Sequence, residues 1–267
     1  MALLHDLCGV GKAALTNMMP ILRIMGIEAC PVPTMLLSTH TGGYGLPATL
    51  KIPGSYIRQC ADHFKSQHVE FDAIFIGYLG HPDIIDAVIY FVEQFPGTRV
   101  IMDPIMGDHG SYYRNFDDPY GLALRTILPF ADIILPNLTE CFLLTGRPFQ
   151  ITGDHRNVLA LCRELQAYGA KDIVITSVPK DDCQKGIVLY EDQAFLYLGN
   201  GEMLGEYHGT GDAFDGMFLS KLLTGHTLLE SVQASHAFVC ACIRESEKYT
   251  YPEREGLLIE KTLRKLV

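Results

Sequence analysis

The chain of 267 residues lacks a CxxC pair, a run of basic residues, an apolar stretch of membrane-spanning length, and any repeat or low-complexity segment. The missing CxxC spacing argues against a zinc or disulfide framework for its eight cysteines, Cys8, Cys30, Cys60, Cys141, Cys162, Cys183, Cys240 and Cys242. Most fall in apolar periodic stretches and are expected to be buried free thiols in a reducing compartment. Cys240 and Cys242, two apart on an expected helix, would point to different faces. A formal net charge of −10 without a basic cluster argues against nucleic acid and anionic membrane surfaces as partners, since both reward clustered Lys and Arg. It leaves an anionic small molecule open, because backbone N–H groups, a few cations and a metal suffice to hold a phosphate. The start, Met1-Ala-Leu-Leu-His5-Asp6, carries neither a cationic flank nor a signal-length apolar run, and nothing reaches the length of a bilayer span. A soluble cytoplasmic protein is expected. With no linker rich in Pro, Gly or Ser, residues 1–267 are expected to form one domain.

What is present is enough apolar material for a substantial core, 48% of residues, arranged as short β-branched runs alternating with amphipathic stretches. Helical spacing covers 13–25, stopping at Gly26, with Pro20 predicting a kink. Strands are predicted at 73–77, 99–102, 133–135 and 172–176. Helices are predicted from Pro82 to about Phe95 and from Asp154 to Tyr168, and a hairpin joins 186–190 to 194–197. Three helices, 212–223, 227–247 and about 253–266, close the chain. Strands separated by helices imply an α/β fold with a mostly parallel sheet covered on both faces. Gly77-Tyr78, Asp103-Pro104, Pro136-Asn137 and Thr176-Ser177 all fall at carboxyl ends of these strands, the edge where open parallel sheets bind ligands.

The chemistry-bearing segments are few. In His208-Gly-Thr-Gly-Asp212-Ala-Phe214 two glycines run into an Asp and an apolar helical pattern. Backbone N–H groups at a helix mouth favour negative charge. An anion cradle with a fixed carboxylate suits phosphoryl transfer to an alcohol, although Asp212 could equally be an ordinary N-cap. Asp103-Pro-Ile-Met-Gly107-Asp108 places two carboxylates around a glycine turn, hard ligands of the kind Mg²⁺ takes. In Asn137-Leu-Thr-Glu140 the Asn could cap a helix, and the Glu could bind a metal-bound water or serve as a first-turn carboxylate. Ser38-Thr-His40-Thr41-Gly42-Gly43 offers hydroxyls and an imidazole to a small polar ring. His109 to Phe116 could be a lid or a surface loop. Gly9-Val-Gly11-Lys-Ala-Ala14 matches a dinucleotide fingerprint, but Glu28, the nearby acid, precedes its expected strand; a P-loop fails at Asp6 and Ala13.

GTGDAF at 209–214, DPIMGD at 103–108, PNLTE at 136–140 and STHTGG at 38–43 together resemble the ribokinase-like superfamily. Within it the chain is similar to the pyridoxal/pyridoxamine kinases, with PILRIMGIE and GYLG at 77–80 following in order. The resemblance implies a three-layer α/β/α sandwich with a mostly parallel central sheet, Mg²⁺-dependent transfer from ATP to the 5′-hydroxymethyl group of pyridoxal, pyridoxine or pyridoxamine, K⁺ as a further cation, and a homodimer. By matched motif it implies Asp212 as base and Gly209, Thr210 and Gly211 as anion hole. Asp108 and Glu140 match the Mg·ATP region, with Asp103 and Asn137 beside them. Thr176 matches a nucleotide or monovalent-cation contact, and Tyr113 lies in the loop that covers ATP. Thr41 and Tyr78 match positions facing the ring. The first strand reads as clipped and carries His5-Asp6 where several relatives have a Ser contacting the substrate, so Asp6 joins His40 as a candidate ring contact. The same fold acting on hydroxymethylpyrimidine is one alternative, and a nucleotide- or dinucleotide-binding protein without kinase activity is another.

Overall fold

The first strand is not clipped. In the computed structural model, which describes residues 1–181, 184–199, 205 and 207–266, β1 spans Ala2–Val10, because Ala2, Leu3, Leu4 and Cys8 have no exposed surface. A strand buried on both faces needs no apolar/polar alternation, which is why its start gives so little signal. α1 (Leu15–Ile24) contains Pro20 and gives way to Gly26 at φ 83°. β2 (Cys30–Thr39) and β3 (Thr49–Lys51) follow. Then come α2 (Gly54–Ser66), β4 (Ala73–Ile76), a 3₁₀ turn at Pro82–Ile84 leading into α3 (Ile85–Gln94), and β5 (Arg99–Met102). β6 (Gly107–Asp108) and β7 (Ser111–Tyr112) pair as a small hairpin, followed by α4 (Asp118–Arg125), β8 (Ile133–Ile134), α5 (Leu138–Thr145) and α6 (His155–Ala167). β9 (Asp172–Asp181), β10 (Gln184–Glu191) and β11 (Ala194–Gly199) precede α7 (Thr210–Leu223), α8 (Leu228–Ser246) and α9 (Ile259–Leu263).

The chain is organised as two units, Met1–Ile52 with Leu204–Val267, and Pro53–Met203. In the first, β1 runs parallel to β2, and β2 antiparallel to β3. Ile21 of α1, Met217 of α7 and Phe238 and Cys242 of α8 share one core cluster with Leu257 and Leu263. The third closing helix expected over 253–266 is instead a 3₁₀ turn at Glu253–Glu255 followed by α9, because Gly256 (φ 71°, ψ −167°) turns the chain between them.

In the second unit β4, β5, β8 and β9 are parallel neighbours in that order, and β10 and β11 extend the sheet antiparallel. Fold and sheet are thus mixed α/β and mostly parallel, as expected. The Ile74-Phe-Ile76 run is fully buried, the continuous apolar strand of a sheet covered on both faces. The β10–β11 hairpin turns at Asp192 and Gln193, both at positive φ (48° and 65°), as a two-residue turn matched to strand twist requires. Paired registers of Ile76 with Met102 and Met102 with Ile134 bring the ends of β4, β5 and β8 level, while Ile134 pairs with Ile173 near the start of β9. The seven described cysteines are free, with Cys8, Cys141, Cys162 and Cys242 buried; Cys183 lies outside the described residues.

Phe91 of α3 is fully buried, with ring centroids 5.2 Å from Phe95 and 6.3 Å from Phe71. Phe91→Ala should therefore cost about 3–5 kcal/mol, read as a lower urea midpoint at unchanged slope; a loss under about 1 kcal/mol would contradict this packing.

Candidate active site

The GTGD segment forms the entry of α7. Gly209 is the N-cap, at φ 81°, and no side chain caps the turn. A Cβ at Gly209 would run into the Lys12 carbonyl and lie 2.9 Å from Asn17 Nδ2. Asn17 Nδ2 donates to the Gly209 carbonyl at 2.8 Å, and Ala213 N–H donates to the same oxygen at 3.0 Å. The helix start is therefore held in place and, among the described residues, takes no side-chain cap, which is how a helix N-terminus presents itself to an anion. Asp212 lies inside the first turn and is not its cap. A Cβ at Gly211 would meet nothing within 4 Å, so packing does not require glycine there.

Asp212 Oδ1 is 3.1 Å from His5 Nε2, and His5 is buried. His5 Nδ1 lies 2.9 Å from Asp6 Oδ1 and 2.8 Å from the Asp6 backbone nitrogen. One nitrogen cannot both donate to the carboxylate and accept from the N–H. The carboxylate contact prevails, because burial acts to lower the His5 pKa but is outweighed by Asp212 and Asp6, which push it up to about 10. His5 is thus an imidazolium between two carboxylates. Burial raises Asp6 against the opposing pull of His5.

The STHTGG loop is stapled within the same unit. His40 is buried; its Nε2 donates to the Arg254 carbonyl at 2.6 Å and its Nδ1 accepts from Gly42 N–H at 3.0 Å. With both ring nitrogens engaged, His40 holds the loop, while Thr41 is exposed. The His208 ring centroid is 4.6 Å from that of His40, and burial lowers the His208 pKa, with His40 adding to it. The GxGxxA glycines face the chain itself. Gly9 lies under the Ser38 carbonyl at 2.9 Å from an added Cβ, and Gly11 under the His40 ring. The following helix begins only at Leu15.

In the second unit Tyr78, Asp103 and Asn137 lie just past the ends of β4, β5 and β8, whereas Thr176, expected at a strand end, lies inside β9, which continues to Asp181 because it pairs with β10 beyond the parallel part of the sheet. Asp103 N–H donates to the Ile76 carbonyl and Thr176 N–H to the Pro136 carbonyl, both at 2.9 Å, and Asn137 bridges to Thr176. Asn137 and Glu140 form a capping box on α5: Glu140 N–H donates to Asn137 Oδ1 at 2.9 Å and Asn137 N–H to Glu140 Oε2 at 2.8 Å. The box also grips the DPIMGD loop. Met106 N–H donates to Glu140 Oε1 at 3.1 Å, Asn137 Nδ2 to the Gly107 carbonyl at 2.9 Å, and Gly110 N–H to Thr139 Oγ1 at 3.0 Å. Burial pushes the Glu140 carboxyl well above the usual range and nearby Asp103 adds to it, against those N–H bonds. Two buried carboxylates that repel each other suit a divalent cation. Among the described residues no three His, Cys, Asp or Glu side chains converge on a metal position.

Asp108 is half exposed at 48% and accepts from His109 N–H at 2.7 Å. Tyr113 is 38% exposed. Tyr78 is buried and its hydroxyl accepts from Asn115 Nδ2 at 2.8 Å. The first unit thus brings together Asp212, Gly209 to Gly211 and Asp6, and separately His40 with the Thr41 loop. The second brings together Asp103, Asn137, Glu140 and Thr176, with Asp108 on the loop they hold. Sequence reasoning missed His5, Asn17, Thr139 and Asn115. Only His5 carried a signal, as an imidazole inside an apolar strand; the others act through contacts with no fixed spacing.

A sequence-family profile described as phosphomethylpyrimidine kinase matches residues 21–254. Pyridoxine/pyridoxal/pyridoxamine kinase of Bordetella avium is 30% identical over 88% of this chain and 83% of its own. Pyridoxal kinase of Lactobacillus plantarum is 31% identical, with a TM-score of 0.91 over 100% of this chain and 95% of that one. A Bacteroides thetaiotaomicron protein carrying the name of a phosphomethylpyrimidine kinase, crystallised with pyridoxal, is 34% identical, with a TM-score of 0.93 over 99% and 94%.

Because folding raises the His5 pKa from 6.5 to about 10, the stability contributed by its charge is fully present below pH 6.5 and lost as pH rises to about 10. The thermal midpoint should fall across that window, and by more than that of His5→Gln. Parallel pH profiles for the two proteins would refute the charged assignment.

Proposed function

The chain belongs to the phosphomethylpyrimidine kinase family and, within the ribokinase-like superfamily, to the pyridoxal kinases, and on that footing we propose that it transfers the γ-phosphoryl group of ATP to the 5′-hydroxymethyl group of a B6 vitamer. It is a phosphotransferase with an alcohol acceptor. The observation that carries the reading is Asp212 in the first turn of α7, beside N–H groups that no side chain caps. A primary alcohol is almost un-ionised at neutral pH, so its proton leaves as the new P–O bond forms. Asp212 accepts it, a contribution of about 10²–10⁴ in rate. The N–H groups of Gly209, Thr210, Gly211 and Asp212 stabilise charge on the transferring group.

Asp108, Glu140 and Asp103 would hold Mg²⁺, directly or through its waters, and the ion would supply charge neutralisation at the nucleotide phosphates. Asn137, Thr176 and Tyr113 serve the nucleotide, with Thr176 a candidate K⁺ contact. Asp6 and Thr41 serve the vitamer ring in the first unit, where His40 sets the Thr41 loop, and Tyr78 of the second unit matches a ring contact by motif. The resemblance to pyridoxal kinases supports the two units acting as one kinase domain, in a cytoplasmic homodimer.

The name of the matching profile favours a second acceptor, hydroxymethylpyrimidine, also a small aromatic ring bearing a hydroxymethyl group. Mass detection of product after incubation with Mg·ATP and a panel of B6 vitamers and pyrimidine alcohols separates the two. Phosphorylated vitamer is expected; product from the pyrimidine alone would move the assignment, and no product from any alcohol would end it. Asp212→Asn should lower kcat about 10²–10⁴-fold while ATP binding, measured by calorimetry, stays within about twofold.

A further inference from the structure

Consecutive strand residues ordinarily point to opposite faces of a sheet, yet the side chains of His5 and Asp6 touch. The register of β1 on β2 shifts between His5 and Leu7, so Asp6 sits at an irregularity of the bulge type, which re-aims side chains beside functional sites. The result is a buried sequence of contacts, Asp6 Oδ1 to His5 Nδ1 and His5 Nε2 to Asp212 Oδ1. His5 has 1% of its side chain exposed and Asp212 12%. Burying an imidazole between two acids gains little for folding when an apolar residue would fill the same space. It does, however, fix a carboxylate in direction.

We infer that His5 is a positioning residue for the phosphoryl transfer: through Nε2 it fixes Asp212 Oδ1, which presents Oδ2 to the acceptor alcohol, and through Nδ1 it is itself fixed by Asp6. The inference rests on the reading of Asp212 as the base. During transfer the alcohol proton passes to Asp212 Oδ2 as its oxygen bonds to phosphorus and the bond from phosphorus to the ADP oxygen breaks. His5 keeps both of its protons throughout. Its imidazolium persists at neutral pH, since the two carboxylates hold its pKa at about 10 despite burial. The Asp212 contact is thus charge-assisted and stronger than a neutral one.

His5→Asn and His5→Gln separate the two contacts. An Asn amide nitrogen overlays Nδ1 and keeps Asp6, whereas a Gln amide nitrogen overlays Nε2 and keeps Asp212. With B6 vitamer and Mg·ATP, His5→Asn should lower kcat about 10–100-fold, the loss typical when an outer hydrogen-bond partner is removed. KM for both substrates should stay within about threefold, and His5→Gln should recover most of the turnover. In the Asp212→Asn background, either His5 change should cost nothing further, because a residue acting only through Asp212 is non-additive with it. Wild-type kcat in His5→Asn, or losses that multiply with that of Asp212→Asn, would overturn the inference. Should His5→Asn fail to fold, His5→Leu, of similar volume but without a donor to Asp212, takes its place alone and combined with Asp212→Asn, with the same two results deciding. An Asp212→Asn enzyme with full turnover would instead overturn the base assignment itself.

Discussion

At residue 209 the backbone occupies a left-handed conformation in a space too small for any side chain. That constraint organises the first unit. The Gly209 carbonyl points back to Asn17 on α1 and forward to Ala213 on α7, so the helix start is tied from both sides. Asp212 is carried into the first turn as a consequence, and there it meets His5 from β1. A larger residue at 209 would displace the Lys12 carbonyl, the Asn17 amide and the helix start together. The carboxylate, its imidazole partner and the uncapped amides are thus set by one turn.

The second unit reaches its arrangement through a different device. For comparison, in the first unit Thr227 and Glu230 form a capping box at the start of α8, and there the N–H and hydroxyl bonds from Thr227 lower the Glu230 carboxyl. The same motif at Asn137 and Glu140 does the opposite, since burial and Asp103 push Glu140 up. A cap is worth about 1 kcal/mol and needs no burial, so capping alone does not explain why Glu140 lies buried beside Asp103. The box also organises Met106, Gly107 and Gly110 through Glu140, Asn137 and Thr139. The DPIMGD loop is thereby held by the same side chains that would meet a cation.

The elements with a strong local signal were legible in the chain. Gly26, Pro82 and Gly169 marked helix boundaries correctly, and β4 and β5 were visible as compact apolar runs ending in Gly77 and Asp103. The failures have physical reasons. β1 read as clipped because a strand buried on both faces shows no alternation, and the closing helix was overextended because one glycine, Gly256, outweighed an otherwise helical pattern. Motif residues such as Asp212, Glu140 and Asn137 stand out because helix entries impose fixed spacings. His5 to Asp212 spans 207 positions and Asn17 to Gly209 192, and no spacing rule reaches that far.

Glycines within the motifs separate by what fills the space beside them. Beside Gly11 stands the His40 ring, beside Gly42 the His208 ring, and beside Gly43 the Arg254 side chain. These three are glycine because the protein itself needs the room, and the dinucleotide-like spacing at 9–14 follows from that packing with no ligand required. Gly211 is different: among the described residues nothing beyond its own neighbours and helix backbone lies within 4 Å of where its Cβ would be, and in the first turn of α7 glycine gives up more backbone freedom on folding than alanine would. A glycine that packing does not demand and propensity disfavours is accounted for when something outside the chain must approach its backbone closely. At the first turn of α7 the group that can do so favourably is an anion.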